Sequence, residues 1–498
     1  AADGAVTDVQ RSFDPATAVL TEIETSSVRA PVVRTFKYGL QLDETAEGVR
    51  TSFAYDALGR CVARIRNAEH EEYDYSSTGE LVEKRTYTNG WACAVESYGY
   101  DSNGRIVAET EADGRTISYR YDGMGNVIAE EGATHPKLYG YDSQGHRISL
   151  ATTRDGTAWD VTRWTYDGAT GRCLAKTYAD GSSETYVYAP DGKRTGVIRP
   201  GNVWEESRYD GQRRLVSVTT ADGCVGYGYD AFGRIVAVSN AVEASRFGLD
   251  RSGTATKEMQ NAFRIVRTVD GAGRITSVNG RRIAYDAAGR ISSVATDDAV
   301  ATYRYDADGQ EAGWTLALAS GAAFTREVVR DAFCRGRIVA VTNWCASVLL
   351  GGFIYAHDAC GRVLARNEDA FAYDTVGQVA EACHAVGTNA FTAAYAYDLI
   401  GNRSEGQANG LNEYALIGGL GASYSANGEL LAVGDRSYAY DSFGRLTSVA
   451  TNGTPVLVNL YDADGRRVRS VDSAGTHTFA YDGWCPILER IDRADGSA

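Results

Sequence analysis

Along most of the chain an aromatic residue stands two places ahead of a Tyr-Asp pair, as in Phe53/Tyr55, Tyr98/Tyr100, Tyr119/Tyr121, Trp164/Tyr166, Tyr227/Tyr229 and Tyr438/Tyr440. A spacing of two puts both rings on one face of an extended strand. Each run ends in a turn-forming hexapeptide, Tyr-Asp-x-x-Gly-Arg. It is intact at Tyr55-Asp56 with Gly59-Arg60, Tyr100-Asp101 with Gly104-Arg105, and Tyr229-Asp230 with Gly233-Arg234. It recurs at Tyr285-Asp286 with Gly289-Arg290, Tyr440-Asp441 with Gly444-Arg445, and Tyr461-Asp462 with Gly465-Arg466. Asp at the first turn position accepts a hydrogen bond from the backbone two residues on. Gly supplies the positive φ of a type I turn with a G1 bulge. Fifteen looser copies, from Tyr75 to Tyr481, bring the count to 21 sites at a mean spacing of about 21 residues. Phe13-Asp14-Pro15 reads as a decayed copy, which extends the repeat towards the N-terminus.

Between these sites lie dipeptides suited to two-residue hairpin loops: Asn89-Gly90, Asp113-Gly114, Asp180-Gly181, Asp222-Gly223, Asn279-Gly280 and Asn452-Gly453. Each repeat is therefore expected to be strand, turn, strand, turn. Where the spacing contracts to 16 residues (Val269 to Tyr285, His357 to Tyr373, Tyr424 to Tyr440), two residues lost per strand keep every side chain on its face. The pattern predicts an all-β protein of ~42 strands, a long antiparallel β-meander. Accumulated twist should coil so long a ribbon into a spiral sheet, an open shell or barrel-like segment. The expected organisation is degenerate repeats over 1–50, then contiguous repeats over 51–498 with no separate catalytic domain.

Composition sharpens this picture. The 55 Gly and 31 Tyr of 498 residues fit many tight turns and many strands. A formal charge of −15 argues against a nucleic-acid or anionic-membrane binder. The nine cysteines are scattered without a C-x-x-C pair and are expected to be small buried hydrophobes. The longest uncharged run, Ile338 to Ala356, has the length of a membrane span, but Gly351, Gly352 and Asn343 inside it predict two short strands, so no span is expected in this segment. The chain opens at Ala1 with no basic and apolar leader, so any export signal is expected to have been removed or to lie upstream.

Candidate chemistry is sparse. The six His are isolated, and His146 and His357 fall on the motif's Arg and Tyr positions, so no metal is expected. Asp306-Ala307-Asp308-Gly309 and Asp462-Ala463-Asp464-Gly465 resemble calcium loops, but position twelve is Ala317 or Ser473 where Glu is needed. Gly421-Ala422-Ser423-Tyr424-Ser425 lacks the closing Gly of a nucleophile elbow. Neither an enzyme nor a cofactor is expected. The tyrosines suit either stacking on sugars or packing in columns that hold the sheet together, and their tie to the repeat favours the second.

The hexapeptide units, their spacing and the paired aromatics resemble the YD-repeat, or Rhs, family of bacterial proteins, whose eukaryotic relatives are the teneurins. The resemblance spans nearly the whole chain. It implies a spiral β-sheet shell around a hollow chamber, which in the toxin branch holds a C-terminal toxin until delivery. Tyr481-Asp482-Gly483-Trp484-Cys485-Pro486 looks like the repeat that precedes the associated core domain in many members. The core's Asp-Pro-x-Gly motif and a cargo domain do not follow, so a fragment of a longer protein is expected. The implied function is a shell segment that shields a cargo encoded downstream, with that cargo or the rest of the parent protein as partner. The alternative is a secreted or cell-surface adhesion protein that binds glycans or a neighbouring cell.

Overall fold

The computed structural model describes residues 7–26, 31–46, 49–66, 69–88, 91–260, 263–331, 336–385, 387 and 390–493. Among these residues there are 46 strands and no α-helix, with two short 3-10 turns at Pro200–Asn202 and Ser404–Gly406. The pairings are antiparallel and join strands consecutive in the chain, as in Val49–Tyr55 with Cys61–Arg66, or Ser183–Tyr188 with Arg194–Arg199. The fold is an all-β meander. A 37-stranded open sheet runs from Thr7–Asp14 to Phe391–Ala394, and a nine-stranded sheet runs from Leu416–Ile417 to Cys485–Arg493.

The chain divides into two compact units. One comprises 1–120, 130–134 and 268–395; the other comprises 121–129, 135–267 and 396–498. In the first, Val49, Val278 and Val341 are buried. In the second, apolar burial at Val197, Val225, Val238 and Ile265 is matched by buried polar groups at Glu243, Glu258, Gln260, Arg267, Asn459, Asp462 and Arg466. A wall one sheet thick has little apolar interior, so polar contacts carry a larger share of its cohesion.

The motif turns are type I turns with a G1 bulge. Register slips by one residue at the motif tyrosine, for example between Ala54 and Tyr55 opposite Cys61. The second set of turns differs from expectation. Asn279-Gly280 and Asn452-Gly453 form two-residue loops with both residues at positive φ. Asp113-Gly114 and Asp180-Gly181 instead sit in bulged three-residue turns, because Glu111 and Tyr178 take the first turn position and only the Gly turns left-handed. At Asp222-Gly223 the loop is shifted by one: Gly223 already pairs with Thr220. Asn89-Gly90 lies outside the described residues. The contracted repeats shorten as expected, to strands such as Ile275–Val278 and Val363–Arg366. The uncharged run forms Ile338–Cys345 and Val348–His357, joined at Ala346.

Candidate functional site

The repeating feature of this chain is a ladder built from the motif side chains. In all six intact motifs the Asp N–H donates to the Arg carbonyl (2.9–3.0 Å) and the Gly N–H donates to the Asp carbonyl (2.9–3.2 Å). Gly59, Gly104, Gly233, Gly289, Gly444 and Gly465 hold φ between 75° and 85°, where a Cβ is strained. One carboxylate oxygen of Asp56, Asp101, Asp230, Asp286, Asp441 and Asp462 accepts the backbone N–H of the motif Arg at 2.8–3.0 Å. The other accepts that Arg's Nε at 2.6–2.8 Å. The carboxylate is thus the hub of its turn. The Arg N–H, followed by the guanidinium, holds the Asp56 and Asp230 carboxyls below the usual carboxylate range, against the opposing pull of desolvation.

Two contacts tie one repeat to the next. The motif tyrosine reaches back: Tyr55, Tyr100, Tyr229, Tyr285 and Tyr461 donate their hydroxyls to the carbonyls of Gln41, Leu81, Leu215, Ile275 and Leu446 at 2.7–2.8 Å. The motif arginine reaches forward. Arg60 lies over the Tyr75 ring at 4.7 Å, Arg290 over Tyr305 at 4.4 Å, Arg445 over Tyr461 at 5.0 Å and Arg466 over Tyr481 at 5.5 Å. The same guanidiniums of Arg60, Arg445 and Arg466 donate to the carbonyls of Ser76, Asp462 and Gly483 at 2.9–3.2 Å, and Arg234 donates to the Asp250 carbonyl at 2.9 Å. At these sites a cation covers one face of the tyrosine of the following repeat, whereas ring-on-ring contact occurs between rings two residues apart, as at Phe353 and Tyr355 (6.4 Å). Sequence reasoning assigned Asp and Gly to the turn but missed this role of Arg, whose recurrence four residues after Asp was the available signal.

The departures obey the same chemistry. His146, in an Arg position, binds Asp142 through Nδ1 at 3.0 Å and stacks on Tyr166 at 4.8 Å. The calcium-like loops are occupied by arginine: Arg466 pairs with Asp462 (2.6 Å) and Asp464 (3.3 Å), and Arg66 pairs with Asp308 (3.4 Å). No group of three or more His, Cys, Asp or Glu is placed to hold a metal among the described residues. The cysteines differ from expectation: Cys224 and Cys485 are exposed, and Cys61, Cys173, Cys345, Cys360 and Cys383 are half-buried. Each lies on a strand or turn of a wall too thin to bury it fully.

Within each unit, polar side chains join segments far apart in sequence. In the second, the Gln260 amide donates to the Tyr481 carbonyl (2.5 Å) and accepts its N–H (3.0 Å). Arg267 pairs with Glu258 (2.7 Å) and Asp482 (2.5 Å), and the Asn240 amide donates to the Tyr461 carbonyl (3.0 Å). Beside them Glu243 is buried, with Oε1 unpartnered. Burial, then repulsion from Asp462, pushes its carboxyl up to about 7. In the first unit, Arg362 and Arg115 share Asp113 at 2.7 and 2.6 Å.

This repeated Asp-Arg-Tyr ladder in an open antiparallel meander defines a β-shell repeat protein. The RHS Repeat family model matches residues 100–137 and 209–243, and the Teneurin YD-shell model matches 270–419. Over these stretches the chain is built of repeats of the YD/Rhs type. No curated protein matches it. Among solved structures it is similar to the crystal structure of TcdB2-TccC3, with 12% identity and a TM-score of 0.65, over 97% of this chain and 32% of that one. It is also similar to TcdB2-TccC3-Cdc42 (13%, 0.59, over 96% and 31%) and to TcdB2-TccC3 without its hypervariable C-terminal region (13%, 0.56, over 91% and 31%). These likenesses establish a shared fold, and the chain spans about a third of the length of the chains it matches.

Proposed function

We propose that this chain is a wall segment of a YD/Rhs shell that encloses a cavity and shields a polypeptide cargo, a toxin, carried C-terminal to it in the parent protein. The observation that carries the reading is the extent of the likeness: 97% of the chain aligns with part of a chain from the TcdB2-TccC3 structure. The ladder supports it, since a thin wall without a deep apolar core needs links between each repeat and the next. In this reading the segment catalyses nothing, its partners are the cargo or the remaining domains of the parent protein, and it works outside the producing cell or on its surface. Capping of tyrosine rings by arginine weighs against an adhesive surface of stacked sugars. The test is limited proteolysis of the full gene product. The downstream domain should resist protease within the intact protein and be cut when expressed alone; equal cleavage rates would overturn the reading. Saturable binding on a glycan array would favour adhesion instead.

A further inference from the structure

Two successive repeats of the second unit replace the ladder's arginine by glutamate. Glu413 closes the turn that begins at Asn409, and Glu429 closes Tyr424-Ser425-Ala426-Asn427-Gly428. Both border a cavity of about 430 Å³ that Tyr424 and Phe443 also line. Glu413 Oε1 lies 3.8 Å from where a Cβ on Gly428 would sit, and Arg60 Nη1 lies 3.9 Å from the corresponding point on Gly79. A carboxylate thus stands where other repeats place a guanidinium. Among the described residues no cation lies over the Tyr424 ring.

Each of these carboxylates uses one oxygen locally: Glu413 Oε2 accepts the Asn409 amide at 2.7 Å, and Glu429 Oε2 accepts the Ser425 hydroxyl. Neither has an ion-pair partner among the described residues. Asn427 Oδ1, a third acceptor in the same wall, is buried without a donor. Two cations lie by the rest of the cavity: Lys176, opposite Glu184 in the strand register, lies over the Tyr178 ring at 4.3 Å, and Arg199 gives Nη2 to Glu205 at 2.8 Å while its Nη1 is buried without an acceptor. The missing cation is on the Glu413–Tyr424–Glu429 side.

We propose that this cavity binds the arginine side chain of a polypeptide, whose guanidinium takes the place that the chain's own arginines occupy elsewhere in the ladder. A guanidinium is all donors and planar, so it stacks on Tyr424 while donating to Glu413 and Glu429; an ammonium lacks the flat face. The proposal goes beyond the shell reading and does not depend on it. Isothermal titration of the full chain with the peptide acetyl-Gly-Arg-Gly-amide should give saturable binding, with the Lys peptide roughly tenfold weaker. The double variant Glu413→Gln/Glu429→Gln should lose it. So should Asn409→Asp/Glu413→Arg, which rebuilds the ladder's own cap and should raise the thermal midpoint, a readout independent of any misfolding of the first variant. Absence of saturable binding, retention in both variants, competition by maltose, or binding of agmatine but not of the peptide would each overturn the proposal.

Discussion

The motif arginine bonds its own turn through Asp, the next turn through a carbonyl and the next strand through a tyrosine ring. Arg445 does all three, to Asp441 (2.7 Å), the Asp462 carbonyl (3.1 Å) and Tyr461 (5.0 Å). Arg445→Ala should therefore destabilise by about 2–3 kcal/mol, and Arg445→Lys should recover only part of that, because an ammonium cannot replace the planar fork. Urea unfolding of the two variants measures both. The Asp hub sets an acid limit. Asp230 has its folded-state pKa depressed, so its contribution is present above the unfolded value of ~3.9 and is lost as pH falls through the lower folded value. Asp230→Asn should be less stable at pH 6 and should lose less thermal midpoint than the wild type between pH 5 and pH 2. At this scale the sequence was legible for Asp and Gly, whose partners lie within five residues. It was not for Arg, whose ring and carbonyl lie a repeat away.

Hairpins are the elements, and their glycines decide the connection. Gly289 sits at φ 81° in the turn after Tyr285. Gly289→Val should cost about 1 kcal/mol or more, since a β-branched residue resists positive φ, and thermal unfolding reads the loss. The strand-turn-strand rhythm was visible in the aromatic spacing, as was the effect of contraction: Tyr285 and Tyr373 still reach back, to Ile275 and Val363, across ten residues instead of the usual fourteen or fifteen. The type of the second turns was less legible. Asp113-Gly114 suits a two-residue loop, but Glu111 and Arg115 close the backbone pair around it and convert it to a bulged turn.

Across the whole molecule, the links between distant segments had no sequence signal. Gln260 and Tyr481, or Arg362 and Asp113, are joined by the path of the sheet and not by any motif. The buried Glu243 makes one such region sensitive to pH. Its folded-state pKa is raised to about 7 from an ordinary 4.5, so its stabilising balance is complete below pH 4.5 and declines as pH rises through 7. Glu243→Gln should stabilise the protein by about 1–3 kcal/mol at pH 8 and by little at pH 4, as measured by denaturant midpoints. A last consequence follows from the tyrosine hydroxyls. Each donates to a carbonyl that precedes it in the chain, so during synthesis the acceptor has left the ribosome before its donor arrives. Every new repeat can dock as it emerges, and the wall can be laid down in the order of translation, course upon course, without awaiting the end of the chain.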